Sequence, residues 1–238
     1  MYLYIGYYYW DPTYVYIVIG MILSLAASAL VRGTFSKYSR TENGRALTGE
    51  EVALQILNSQ GLYHVKVYHV SGYLTDHYDP ATKTLHLSDA VYHSRSIAAA
   101  GVAAHECGHA IQDAKGYVPL KLRGAIVPVA NFGANISWLL ILIGLLIRSN
   151  SSMLLIHLGI IAFSLSVLFQ LVTLPVEFNA SRRALQILDN RQILFNQEMS
   201  DAKKVLAAAA LTYVAAAAAS ILQLLRLVVL FGGGRDDD

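Results

Sequence analysis

The sequence predicts a mainly α membrane protein, with about four transmembrane helices and a small α+β domain on the cytoplasmic side. Three observations predict it. Of 238 residues, 55% are hydrophobic and only 14% charged, a balance too apolar for an ordinary soluble domain. The apolar residues gather into four runs, each near the roughly 20 residues a helix needs to cross a bilayer. Between the first two runs lies a polar stretch, residues 33–123, rich in turn and cap signals.

The first run, residues 12–31, follows a tyrosine-rich opening with no basic residues. That argues for an uncleaved anchor over a signal peptide, although Ala26-Ala27-Ser28-Ala29 imitates a cleavage site. Tyr7, Tyr8, Tyr9 and Trp10 are expected at the headgroup level. The other runs are 126–147, 153–174 and 205–231; the last is alanine-rich, a composition that lets helices approach closely. Segments 32–123 and 182–204 carry 15 of the 18 basic residues, so both are expected in the cytoplasm, with Arg148 and Arg235 outside. The expected division is therefore 1–32 as an anchor, 33–123 as the cytoplasmic domain, 124–175 as a membrane hairpin, 176–204 as a cytoplasmic helix, and 205–238 as the last span and a solvated tail.

Within 33–123, Thr48-Gly49-Glu50-Glu51 reads as a capping box opening a helix that stops at Gly61. Val65, Val67 and Val70 suggest a strand, Asp79-Pro80 a turn, and Thr84-Leu85-His86-Leu87 a second strand. Ser88-Asp89 and Ser96 look like helix caps, and an alanine-rich helix is expected from Ile97 to about Ala114, ended by Gly116. A net charge of +2 with no basic stripe excludes nucleic-acid binding from the expectations. The single cysteine, Cys107, excludes an intrachain disulfide and reads as a buried small hydrophobe.

The alanine-rich helix carries His105-Glu106-Cys107-Gly108-His109. Residues i and i+4 share a helix face, so both imidazoles can reach one tetrahedral Zn²⁺, with Glu106 beside its open position as general base. A catalytic zinc usually takes a third protein ligand. Glu177, just past the third apolar run, lies where an ionisable group is costly without a partner, and it completes a His₂Glu set. An interfacial carboxylate paired with Arg182 or Arg183 is the plainer alternative.

His105-Glu106-Cys107-Gly108-His109-Ala110-Ile111-Gln112, Gly101-Val102-Ala103-Ala104, Leu85-His86-Leu87-Ser88 and Leu174-Pro175-Val176-Glu177-Phe178-Asn179-Ala180-Ser181 resemble the YugP-type neutral zinc metallopeptidases, bacterial membrane proteins. More distantly they resemble the HtpX and CAAX prenyl-protease group. The resemblance implies a zincin-like cytoplasmic domain and Glu177 as third ligand. That group usually carries an aspartate four residues after this glutamate to orient a ligand histidine; here Ser181 stands at that position and Asn179 is nearby.

Leu85-His86-Leu87 is the candidate edge strand for a substrate backbone. His86, His93, Arg182 and Tyr213 are candidate oxyanion donors, with nothing in the sequence to choose among them. His157 reads as helix packing, and His64, His69 and His77 as surface or strand positions. The leading expectation is an endopeptidase with one catalytic Zn²⁺, in the bacterial plasma membrane, acting on peptides or membrane-protein segments. The competing class is a zinc-binding scaffold or chaperone without turnover.

Overall fold

The computed structural model describes residues 11–147 and 151–232. The expected aromatic belt at Tyr7 to Trp10, Arg148, Arg235 and the tail from 233 onward lie outside the described residues. In chain order the elements are α1 (Tyr14–Tyr38), α2 (Gly49–Ser59), β1 (Lys66–Val70), β2 (His77–Asp79), β3 (Thr84–Ser88), α3 (Ile97–Ala114), α4 (Val118–Leu146), α5 (Ser152–Asn190) and α6 (Asn196–Phe231). Helices α1, α4, α5 and α6 are each long and apolar enough to cross a membrane. The chain is thus a multi-pass membrane protein with a small mixed α+β part.

The spanning helices overrun their apolar runs. Helix α5 has 39 residues, about 58 Å at 1.5 Å per residue, against a hydrocarbon core of about 30 Å. Pro175 sits inside it and forfeits one ladder bond, yet the helix continues because Val176, Ala180, Ala184 and Leu188 beyond the proline are all buried. Residues 176–190 are therefore an extension of a membrane helix, and 196–204 open the next one; a turn with Gln192 at φ 51° separates them.

Local chemistry explains the short elements. Thr48 accepts from the Glu51 N–H at 3.2 Å while the Glu51 carboxylate takes the Thr48 N–H at 2.8 Å, closing the capping box of α2. Ser96 accepts from the Ala99 N–H at 3.1 Å to start α3. Gly61 and Gly116 end their helices at φ +73° and +63°, a region glycine enters at no steric cost. Ser88-Asp89 starts no helix: the Val91 and Tyr92 N–H groups bond back to the Ser88 carbonyl in a turn, and Asp89 accepts from the Gly72 N–H and meets His69.

The sheet order is β1-β3-β2, with β1 parallel and β2 antiparallel to β3. The expected edge strand Leu85-His86-Leu87 is the central strand, and the edge beside α3 is β2. Three residues, His77-Tyr78-Asp79, are too few for an alternation to announce them.

One apolar core joins the parts. Val52, Ile56 and Leu57 of α2, Leu85 and Leu87 of β3, and the alanine face of α3 pack with Phe35 of α1, Leu188 of α5 and Leu206 of α6. The ends of three membrane helices thus belong to the core of the α+β part, which fixes α3 against them. Helices α4 and α5 approach through glycines: a Cβ on Gly133 would lie 2.7 Å from the Ala162 carbonyl oxygen, and one on Gly159 2.8 Å from that of Ser137.

Candidate metal centre

Helix α3 presents His105 and His109 one turn apart, their rings 4.8 Å between centroids and nearly perpendicular. Helix α5 brings Glu177 across from them. Its Oε2 lies 3.2 Å from His105 Nε2 and 3.5 Å from His109 Nε2. Two ligands about 2.05 Å from a tetrahedral zinc sit roughly 3.3 Å apart, so Glu177 Oε2 already stands at about that spacing from each imidazole. All three donor atoms lie within 4.8 Å of one another. They form a single site for one Zn²⁺, the ion that the two imidazoles and one carboxylate suit.

Each donor is held from behind. The other imidazole nitrogen of His105, Nδ1, lies 3.0 Å from Ser181 Oγ, and His109 Nδ1 lies 3.1 Å from Gln112 Oε1. Gln112 is fully buried, and its amide donates to the Val176 carbonyl at 2.8 Å and to Asn179 Oδ1 at 3.1 Å. Arg123, near the start of α4, places Nη1 3.0 Å from Glu177 Oε1. These partners fix ring orientation and keep Oε2 turned to the histidines.

Ser181, the position where the resemblance leads one to expect an aspartate, thus reaches a ligand histidine with its hydroxyl. Asn179 acts one step further out, through Gln112. Neither Arg182 nor Arg183 pairs with Glu177; Arg183 donates to Asn179 at 2.7 Å. Sequence reasoning missed Arg123 and Gln112. Gln112 was within reach, three residues after His109 on the same helix face; Arg123 was not, because nothing local ties it to a residue 54 positions later.

Glu106 is buried, 8% exposed, and lines a cavity of about 260 Å³ together with His109, Glu177, Arg123 and Tyr213. A second recess of about 240 Å³ shares Glu106, Asp76 and Tyr213 and adds His105. The two share these walls and flank the metal position, and are taken together as the cleft. Its walls come from α4 on one side, through Leu120, Gly124 and Val127, and from α1 and α6 on the other, through Val31, Ala209 and Thr212. Of the four oxyanion candidates, Tyr213 alone lines this cleft.

The electrostatics favour a cation. Asp76, Glu106 and Glu177 converge on the cleft, with Arg123 the guanidinium among its described lining residues. Burial pushes the Asp76 carboxyl above its usual range, and the nearby Glu106 adds to the rise, against two hydrogen bonds from Ser88. A divalent ion relieves such crowding. Strand β2 is tied to α3 by the Tyr78 hydroxyl, which donates to Asp113 Oδ2 at 2.7 Å. Burial, then Asp113, pushes the Tyr78 phenol well up and keeps its proton in place. His77, exposed at the start of β2 as a surface or strand position, stacks on His86 at 4.6 Å and lines the cleft.

Cys107 points away into the core, fully buried, its Sγ 3.6 Å from the Ala53 carbonyl oxygen. Burial pushes the thiol well up, as for an inert small hydrophobe. His157 Nε2 lies 3.4 Å from the Phe231 carbonyl oxygen, a contact between α5 and α6 far along the chain from the centre.

A family model described as “Putative neutral zinc metallopeptidase” matches residues 13–232. The chain belongs to this family. It is 49% identical over 185 residues to “Putative membrane protease YugP” of Bacillus subtilis (strain 168), an overlap that covers 78% of this chain and 81% of that protein. No solved structure matches it. The family description names zinc, and the His105, His109 and Glu177 set found here suits that ion.

Proposed function

We propose that the chain is a zinc-dependent membrane endopeptidase, with His105, His109 and Glu177 as ligands and Glu106 as general base. The observation that carries this reading is Glu106 in an open cleft directly beside the three donor atoms. A structural zinc site closes its fourth position with protein, so the cleft favours turnover over a scaffold or chaperone.

Held by His105, His109 and Glu177, a zinc ion would supply Lewis acidity toward water and a scissile carbonyl. Glu106 takes the proton from that water and delivers it to the leaving amine. Tyr213 donates its hydroxyl to the developing oxyanion. Strand β2 has one free edge, since its other edge pairs with β3, and a substrate backbone laid along it in extended form enters the cleft at His77.

The substrate class follows from the walls. Membrane helices α1, α4, α5 and α6 all contribute to the cleft, so peptide segments held at the bilayer surface reach it with raised effective concentration. We assign residues 33–123, the far end of α5 and the start of α6 to the cytoplasmic face of the plasma membrane, as the basic residues suggest.

The test is zinc content and peptide hydrolysis of the detergent-purified chain, wild type against Glu106→Gln and Glu177→Ala. Wild type is expected to hold about one zinc and hydrolyse a casein-derived peptide mixture. Glu106→Gln should keep the zinc and lose about 10²-fold or more in rate, and Glu177→Ala should lose most of the zinc. A wild type that binds no zinc, or a Glu106→Gln chain that hydrolyses at the wild-type rate, overturns the reading.

A further inference from the structure

The geometry points to a binding site for one anionic phospholipid in the groove between α5 and α6. This groove, about 520 Å³, is apolar along Phe178, Leu206, Ala210 and Leu211 and carries Arg182 and Lys203 toward its polar end, with Leu185 one turn beyond Arg182. From Lys203 to Leu211 the wall of α6 rises about 12 Å, from the charged turn into the apolar stretch that crosses the membrane. A cationic mouth at the water side and an apolar floor in the hydrocarbon match an amphiphile with an anionic head.

Charge separates this groove from its neighbours. Arg182 and Lys203 are both exposed, and among the described residues neither makes an ion pair or hydrogen bond. The groove between α1 and α6, about 670 Å³, also has two lysines at its end. There Lys204 is paired with Asp201 at 2.8 Å, and Lys37 and Lys204 both lie over the Tyr38 ring at 5.2 and 5.7 Å. One of its two lysines is already ion-paired, and among the described residues neither cation of the α5–α6 groove is.

The lining also chooses acyl chain over peptide. A peptide at hydrocarbon depth must satisfy its backbone N–H and C=O groups, and the one uncharged polar side chain here, Ser181, turns its hydroxyl to His105 Nδ1. An acyl chain asks for no hydrogen bonds. Ser181 and Phe178, the latter 47% exposed, place the bound lipid against the same helical turns that carry Glu177.

Native mass spectrometry of the full-length chain in detergent tests this without any hydrolysis assay, so its outcome is independent of the peptidase reading. The probes are phosphatidylglycerol and phosphatidylcholine with identical acyl chains. Wild type should bind one phosphatidylglycerol at least tenfold more tightly than phosphatidylcholine. Arg182→Gln with Lys203→Gln should erase that preference; Lys37→Gln with Lys204→Gln should leave it. Ala210→Leu, which fills the groove, should weaken both lipids in a chain that keeps its helical circular dichroism. Equal binding of the two lipids by wild type, loss of preference in the Lys37 and Lys204 pair instead, or displacement of the lipid by soluble glycerol phosphate at matched concentration would each overturn the site.

Discussion

Arg123 Nη1 lies 3.0 Å from Glu177 Oε1, while the other oxygen of the same carboxylate faces His105 and His109. A residue from α4 thus aims a ligand carried by α5 at two ligands carried by α3. Removing a positive charge beside a cation site would by simple Coulomb attraction tighten metal binding. We expect the reverse for Arg123→Ala, a loss of about 10- to 100-fold in zinc affinity, because the carboxylate loses its orientation. Chelator competition measures it; an unchanged or tighter affinity would show that Arg123 does not position Glu177.

The Ser181 hydroxyl sits 3.0 Å from His105 Nδ1. A carboxylate there would raise the basicity of the imidazole more than a hydroxyl does. Ser181→Asp is expected to tighten zinc binding, and Ser181→Ala to weaken it by about tenfold, by the same competition. The order Ala, Ser, Asp in rising affinity is the result; any other order removes Ser181 from the support of His105.

Gly108 lies inside the motif, and a Cβ there would sit 2.6 Å from the Ala180 carbonyl oxygen of α5. Backbone cannot step aside as a side chain can, so α3 and α5 must part. Gly108→Ala should cost about 1–3 kcal/mol of stability and weaken zinc binding, since the donors sit on those two helices. Gly101→Ala is the control: its Cβ meets Ala202 at an ordinary 3.7 Å, and the helix gains about 0.5–1 kcal/mol. Thermal unfolding of both variants decides, and equal melting shifts would refute the packing argument.

Much of this was legible before any coordinates. The spanning helices, the bounds of α3 and the capping box at Thr48 follow from composition and local hydrogen-bond chemistry, which act within a few residues. His105 and His109 needed only helix periodicity. Glu177 was found because a lone carboxylate beside hydrocarbon is expensive. What stayed hidden depends on tertiary approach: β2, too short for periodicity; Arg123, whose partner is 54 residues away; and the continuation of α5 through Pro175, which local propensity opposes and burial of the far end secures.

Asp76 gives the pH dependence. Burial, helped by Glu106, raises its pKa above the ordinary carboxylate value of 3.8, although the Ser88 N–H and Oγ bond to it at 2.8 and 2.9 Å. Between that ordinary value and the raised one, the folded chain binds a proton that the unfolded chain does not, so this group's contribution to stability falls as pH rises through the window. Asp76→Asn keeps an acceptor for the Ser88 N–H and an amide donor for its Oγ, and has no charge to bury. In metal-free protein, which sets zinc release aside, Asp76→Asn should melt higher than wild type near neutral pH. That gap should close as pH falls toward about 4. The difference between the two melting curves reports Asp76 together with its coupling to Glu106. Curves that run parallel across this range would mean that burying Asp76 carries no ionisation cost.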